Sequence, residues 1–245
     1  MKYYGGKSRQ GKEISDILKE IIEHDVDLKG YIEPFCGALG VMRHMEETGL
    51  PLYAYDACPD LILLWKKVQN NKFKKPTMTE SKWRKLKYSK VPSALRAFAG
   101  FACSFGGIFF NGYADNSSGD RNFCDEGYKS IKKIQPHIKN VNFKYQDYKK
   151  CEKQISKGSY IIYCDPPYKD TDCTFGSSHE FNSNEFFNTL RKWSSMGNII
   201  ILSEFSAPKD FKCIWTKKRK SSIRGKNNYA DNKQMTEKLY ILSNF

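Results

Sequence analysis

Four consecutive residues, Asp165-Pro166-Pro167-Tyr168, place a carboxylate, two rings without a backbone N–H, and a flat phenol side by side. Two prolines in succession stiffen the chain and leave its carbonyls to accept hydrogen bonds. A carboxylate next to a fixed carbonyl can hold both hydrogens of an amino group, and a tyrosine offers a flat face to a planar base. The tetrapeptide follows directly on Ser159 to Cys164, an almost wholly apolar run, as a strand buried on both faces should be. In an open α/β sheet, ligands sit beyond the carboxyl ends of the strands, so this is where a site belongs. The bare tetrapeptide also occurs as a structural turn; its placement favours chemistry.

A second constellation is Glu33-Pro34-Phe35-Cys36-Gly37-Ala38-Leu39-Gly40, which closes one strand and opens onto a helix. Such a turn lets backbone N–H groups and a helix N-terminus approach a ligand closely. Phe35 stands at the first glycine position of Gly-x-Gly-x-x-Gly, so this is not the dinucleotide fingerprint. Taken alone, a turn with two glycines is as often structural as functional. Asp56 strengthens the functional reading: an acid at the end of the second strand, about 20 residues on, is the usual partner of ribose hydroxyls.

These residues need elements to hold them. Residues 13 to 24 read as an amphipathic helix, with Ile14, Ile17, Leu18, Ile21 and Ile22 on one face. Gly30 to Glu33 reads as a short strand, followed by a turn from Pro34 to Gly37. A helix is then expected through Met45, stopping near Gly49, and Pro51 introduces a strand from Leu52 to Tyr55 that ends on Asp56. Strand, turn, helix, strand predicts a parallel sheet. Val141 to Tyr145 and Asn198 to Leu202 are further strands. Ser183 is expected to cap a helix to about Ser195, with Glu185 near its positive end. Phe211 to Trp215 and Lys238 to Leu242 read as a closing antiparallel pair joined by a basic loop from Lys217 to Lys226.

The 245 residues carry 41 Lys plus Arg against 27 Asp plus Glu, a formal net charge of +14. That excess points first to nucleic acid and second to an anionic membrane surface; the plain alternative is a basic protein kept soluble by its charge. Between Lys66 and Lys90 nine lysines and one arginine face a single acid, Glu80, with Trp65, Phe73, Trp83 and Tyr88 interleaved. This is the make-up of a phosphate-tracking surface, with Lys82, Lys85 and Lys87 as DNA-binding candidates. A solvated helix face with ordinary core aromatics is the competing account. The Phe-rich stretch from 98 to 110 reads as core. No run approaches the roughly 18 apolar residues that span a bilayer, and the first residues lack a signal peptide's apolar run. Eight cysteines at irregular spacing and four histidines predict no metal site, and a cytoplasmic, reducing location.

Five pieces in fixed order carry a resemblance: Tyr3-Tyr4-Gly5-Gly6-Lys7, the Phe35-x-Gly37 turn, Asp56, Gln146-Asp147-Tyr148, and Asp165-Pro166-Pro167-Tyr168. Together they resemble the alpha group of DNA adenine methyltransferases, the Dam type. The resemblance continues through Phe109-Phe110-Asn111-Gly112-Tyr113, similar to that family's recognition hairpin, to Thr236-Glu237-Lys238-Leu239-Tyr240-Ile241, similar to its final strand. It implies an α/β, Rossmann-like S-adenosylmethionine-dependent methyltransferase fold, a mixed, mostly parallel sheet with one antiparallel edge strand. Residues 1–57 and 141–245 would form the catalytic domain and 58–140 an inserted target-recognition region.

By the same resemblance, Asp165, Pro166, Pro167 and Tyr168 would be catalytic. Tyr3 and Lys7 would meet the methionine end of S-adenosylmethionine, with Lys7 on its carboxylate. Phe35 and Gly37 would line the cofactor pocket, Asp56 would bind the ribose, Asp147 and Tyr148 the cofactor's adenine, and Asp165 would border the cofactor too. Asn111 would reach DNA from the hairpin. The implied activity is site-specific methylation of the exocyclic amino group of a flipped adenine in double-stranded DNA, by a monomer or weak dimer, without metal. Two departures stand out. Leu39 holds the last position of the family's Phe-x-Gly-x-Gly, with Gly40 after it. Where Dam enzymes have an arginine after Phe-Asn-Gly, this chain has Ala114-Asp115-Asn116, and an acid cannot contact guanine as arginine does. Arg121 is the candidate replacement. Rival readings are a cytosine-amino or RNA methyltransferase and a catalytically inactive DNA-binding relative. Ser commonly replaces the Asp in cytosine-amino enzymes, and cytosine-ring methylation needs a thiolate, usually in a Pro-Cys pair that is absent here.

Overall fold

The computed structural model describes residues 1–24, 27–114, 121–167, 181–220 and 234–242. Among them, Gly30–Glu33 (β1), Leu52–Asp56 (β2), Val141–Tyr145 (β3), Tyr160–Cys164 (β4), Ile199–Glu204 (β5), Lys212–Lys220 (β6) and Gln234–Leu242 (β7) form one sheet. Its order is β3-β2-β1-β4-β5-β7-β6. The first five pair in parallel, while β7 runs antiparallel to both β5 and β6. This is the expected Rossmann-like methyltransferase sheet, with the reversed strand one place in from the edge and β6 outermost.

Alternation along the strands builds two cores. Tyr31, Ile161, Tyr163, Ile199 and Ile201 point to one face, and Ile32, Ile162, Cys164, Ile200 and Leu202 to the other. A strand covered on both faces has no polar side to show, which is why β1 and β5 are buried at every position. The first face is covered by Ile14 and Leu18 of Gly11–Glu23 (α1) and by Leu61 and Trp65 of Pro59–Gln69 (α2). Continuous with that core are Glu80–Tyr88 (α3), Ala94–Ala97 (α4) with a π-helical turn at Phe98–Ala102, and Phe123–Ile134 (α5). The second face takes Ile155 of Glu152–Ile155 (α6) and Phe186, Leu190 and Trp193 of Ser183–Ser195 (α7).

Three local expectations need correction. The helix expected through Met45 is two short 3₁₀ turns, Met42–His44 and Glu46–Thr48. Leu39, Met42 and Met45, all buried, recur every third residue, a spacing that a 3₁₀ turn satisfies. The cap of α7 is Asn182, whose side chain accepts from the Glu185 N–H at 3.0 Å, and Ser183 is the first helical residue. The basic stretch read as a loop from Lys217 is strand as far as Lys220, paired with Gln234 to Glu237 of β7. Lysines on an outermost strand fit the usual protection of a sheet edge. No helix among the described residues is long and apolar enough to cross a membrane.

Candidate active site

Strand order reverses between β1 and β4: the chain runs outward from β1 through β2 to β3, then returns to β4 on β1's other side. The crevice beyond their carboxyl ends is the place where such sheets bind ligands. The turn after β1 fills one side of it. Cys36 N–H donates to Tyr55 O at 2.9 Å, Gly37 N–H to Asp56 Oδ2 at 3.0 Å, and Trp65 Nε1–H to Gly37 O at 2.9 Å. Gly37 adopts φ +45° and Leu39 φ +58°. Leucine in the left-handed region costs about 1–2 kcal/mol, a strain held in place here by its complete burial. Gly40 has a different role. A Cβ there would lie 2.9 Å from the Lys7 carbonyl carbon, and a Cβ on Gly11 would lie 1.9 Å from Gly40 O. The second glycine therefore serves close backbone approach, and the N-terminal segment 3–11 lies against the turn. The Tyr3 ring is within 3.2 Å of a Cβ built on Gly37.

Asp56 ends β2 with its Oδ1 accepting from Cys58 N–H at 2.8 Å and its Oδ2 from Gly37. Burial raises its pKa to about 6, against the lowering effect of those two N–H groups. Asp165 follows β4 and meets Lys7, whose ammonium donates to Asp165 Oδ1 at 2.5 Å and lies 3.1 Å from Glu237 Oε1. Lys7 is 2% exposed and Glu237 0%. Glu33 stands at the end of β1, accepting the Tyr31 hydroxyl at 2.6 Å. Burial first, then repulsion from Asp165, raises its carboxyl to about 8. Pro166 is buried and Pro167 half-buried. Tyr168 lies outside the described residues.

At the end of β3, Gln146 is buried, with Nε2 near Cys151 Sγ and Oε1 lacking a hydrogen-bond partner. Asp147 is exposed and caps the next turn by accepting Lys149 N–H at 2.9 Å. Tyr148 is buried and packs on Phe35 at 5.3 Å between ring centroids. Burial pushes its hydroxyl up to about 12.

The DNA-binding candidates lie apart from this crevice. Lys82, Lys85 and Lys87 are exposed on α3, while Trp65, Phe73 and Trp83 are core and Tyr88 is exposed. Ser104 and Tyr113 form an antiparallel bridge, and Asn111 is exposed in the intervening loop. Gly107 O accepts Tyr4 N–H at 3.1 Å, so that loop leans on the N-terminal segment. Arg121 is engaged twice by Glu126, at 2.9 and 2.7 Å, and stacks on Phe123. Asp115 lies outside the described residues.

Thus Tyr3, Lys7, Gly37, Asp56 and Asp165 converge, with Phe35 and Tyr148 packed together beside them. Two buried acids escaped the sequence reading of roles. Glu33 stood in a quoted motif without an assigned part. Glu237 likewise lay in the Thr236 to Ile241 stretch that resembles the family's final strand, with no part assigned to it. Arg96 was also missed: it pairs with buried Asp60 and lies over the Phe109 and Phe110 rings, fixing the hairpin's base to α2.

Residues 3–91 and 110–235 match the D12 class N6 adenine-specific DNA methyltransferase family. No curated protein matches the chain. Similar solved structures include yhhF from Escherichia coli, assigned as a methyltransferase. It is 10% identical, with 99% of this chain and 98% of that one covered and a TM-score of 0.42. The rRNA methyltransferase aviRa from Streptomyces viridochromogenes is 10% identical, covering 92% of this chain and 83% of that one, with a TM-score of 0.41. The magnesium protoporphyrin IX methyltransferase ChlM from Synechocystis, with bound SAM, is 11% identical, covering 95% and 79%, with a TM-score of 0.36.

Proposed function

The chain belongs to the D12 class N6 adenine-specific DNA methyltransferase family, and on that premise we propose that it methylates the exocyclic amino group of an adenine flipped from duplex DNA, with S-adenosylmethionine as donor. One observation carries the reading: the Asp165-Pro166-Pro167 loop, the Gly37 turn and the Asp56 carboxylate share one crevice at the β1/β4 reversal.

The residues fit the donor. Asp56, tied by two backbone N–H groups, keeps a carboxylate at the strand end for ribose hydroxyls. Gln146 Oε1 is a buried acceptor without a partner at the end of β3, where a polar ligand group would satisfy it. Tyr3, Phe35 and Gly37 line the pocket, and Asp147 and Tyr148 border its adenine side. S-adenosylmethionine, when bound, supplies the electrophilic sulfonium methyl.

Adenine in a duplex is stacked and must be extruded before an enzyme can act on it. Its amino lone pair is delocalised into the ring and is a poor nucleophile. Asp165 and the Pro166 carbonyl accept its two hydrogens, concentrating electron density on nitrogen and fixing its direction of attack, while Tyr168 stacks on the base. Orientation of this kind supplies much of the rate. Region 58–140 recognises the target: Lys82, Lys85 and Lys87 meet phosphates, and Asn111 and Arg121 reach base edges. Arg121 must first leave Glu126, an exchange that costs little for an exposed pair. The setting is intracellular and reducing, which suits buried thiols at Cys36, Cys58, Cys103, Cys151 and Cys164. The enzyme acts as a monomer or weak dimer.

The test is Asp165→Ala. Lys7 keeps Glu237 as counter-ion, so the variant should fold. Methyl transfer to DNA should be lost while calorimetric affinity for S-adenosylmethionine is largely kept. Methyladenine formed at the wild-type rate by the folded variant would overturn the assignment.

A further inference from the structure

We propose that Glu237 is a positioning residue for methyl transfer: it shares the Lys7 ammonium with Asp165, and so fixes where Asp165 sits and how strongly it accepts. The inference rests on the adenine-methylation reading above. It departs from the expected role of Lys7, which the family resemblance assigns to the cofactor's carboxylate.

An ammonium has three hydrogens. Around Lys7 Nζ, the acceptors among the described residues include Asp165 Oδ1 at 2.5 Å, Glu237 Oε1 at 3.1 Å and Gly5 O at 3.3 Å. The side chain is thus held by the fold itself. Glu237 is in turn fixed from two sides, by Gln10 Nε2 at 3.3 Å and Ser203 Oγ at 3.5 Å. A fully buried carboxylate is costly unless paired, and breaking such a pair from one end leaves the other charge stranded. The last strand is therefore wired through Lys7 to the loop after β4, 72 residues earlier in the chain.

Two carboxylates share this one ammonium, an arrangement suited to a neighbouring sulfonium. Sharing also sets the strength of Asp165. With Glu237 neutralised, the ammonium turns wholly to its nearer partner, and a carboxylate so engaged is a poorer acceptor for the target amino group. With Lys7 neutralised, Asp165 loses the cation at 2.5 Å and still faces Glu33 from β1, Tyr3 from the N-terminal segment and Cys164 from β4. The two changes must move the ionisation of Asp165 in opposite directions, since an opposite charge favours a carboxylate and a like charge disfavours it. Packing alone has no reason to produce that opposition.

The experiment measures single-turnover methyl transfer from S-adenosylmethionine to adenine-containing duplex DNA, as a function of pH, for wild type, Glu237→Gln and Lys7→Gln. Calorimetric titration with S-adenosylhomocysteine runs beside it. Glu237→Gln is isosteric and should slow transfer at saturating cofactor by about a hundredfold, with the acid limb of its profile moved to lower pH and cofactor affinity little changed. Lys7→Gln should move the same limb to higher pH. Glu237→Asp, which keeps the charge, should restore the wild-type limb. Wild-type rate with an unmoved limb in Glu237→Gln overturns the proposal. So do limbs that move the same way in both variants, or a loss confined to cofactor affinity. Failure of wild type itself to methylate DNA would sink the underlying reading instead; an active wild type beside an indifferent Glu237→Gln sinks only this inference.

Discussion

Glu33 is the residue whose protonation links the site to the stability of the fold. Its carboxyl ordinarily titrates near 4.5, but burial raises it to about 8 in the folded chain. Between those values the folded state holds a proton that the unfolded state has lost. Its contribution is therefore full below about 4.5 and is lost as pH rises through about 8. Asp56, raised by burial from 3.8 to about 6, acts with the same sign over a lower window. In Glu33→Gln the titrating group is gone while an acceptor for Tyr31 remains. The variant's stability should fall less steeply with rising pH, the difference growing to several kcal/mol by pH 8 at ~1.4 kcal/mol per pKa unit. Denaturant melts at a series of pH values read this directly, and parallel curves for the two proteins would refute it. Asp165 and Asp56 were legible from sequence because each follows an apolar run that must be a strand. The state of Glu33 was not, since its shift comes from burial at a crevice that exists only once β1 and β4 pair. The pairing of Lys7 was not legible, because Glu237 is remote in sequence.

The elements meet most tightly where α1 begins. Gly11 opens that helix with its backbone against Gly40, and Gly40 in turn presses on Lys7. A methyl on Gly11 would lie 1.9 Å from Gly40 O, a backbone atom that cannot swing away. Gly11→Ala should therefore displace either α1 or the Gly37–Gly40 turn. The expected cost is about 1–3 kcal/mol of stability, the range for overpacking, with weaker binding of S-adenosylmethionine if that turn lines the pocket as proposed. A urea midpoint and a calorimetric titration would check both, and an unchanged midpoint would mean that the backbone relaxes there without strain. The central strands could be read as apolar runs, since burial on both faces leaves no other pattern. The segment after Gly37 could not, because spacing near three and spacing near 3.6 look alike over so few residues. The left-handed Leu39 then prevents an α-helix from starting there. Nor does any local signal tell that β6 continues through Lys220, as its partner is β7 rather than its own neighbourhood.

At the scale of the whole molecule, the charge of +14 matters through its placement. The segment from Trp65 to Lys90 divides cleanly: Trp65, Phe73 and Trp83 turn inward, while Lys66, Lys67, Lys82, Lys85 and Lys87 face solvent. The interleaved aromatics are mostly core, and the basic residues carry the electrostatic reading alone. On α3 Arg84 is tied to Glu80, and Lys87 lies over the Trp83 ring. Reversing Lys82, Lys85 and Lys87 to Glu leaves Trp83 buried, so the fold should persist. For every phosphate that the variant no longer neutralises, the slope of log affinity against log salt should flatten by about 0.9. Binding should weaken for all sequences alike, since phosphates carry no base identity. Methyl transfer at saturating DNA should stay near the wild-type rate, because α3 supplies no residue to the crevice. Fluorescence anisotropy with two unrelated duplexes over a salt series makes the measurement. An unchanged slope would make α3 a solvated face, and the phosphate-tracking surface would then have to be sought elsewhere on this basic protein.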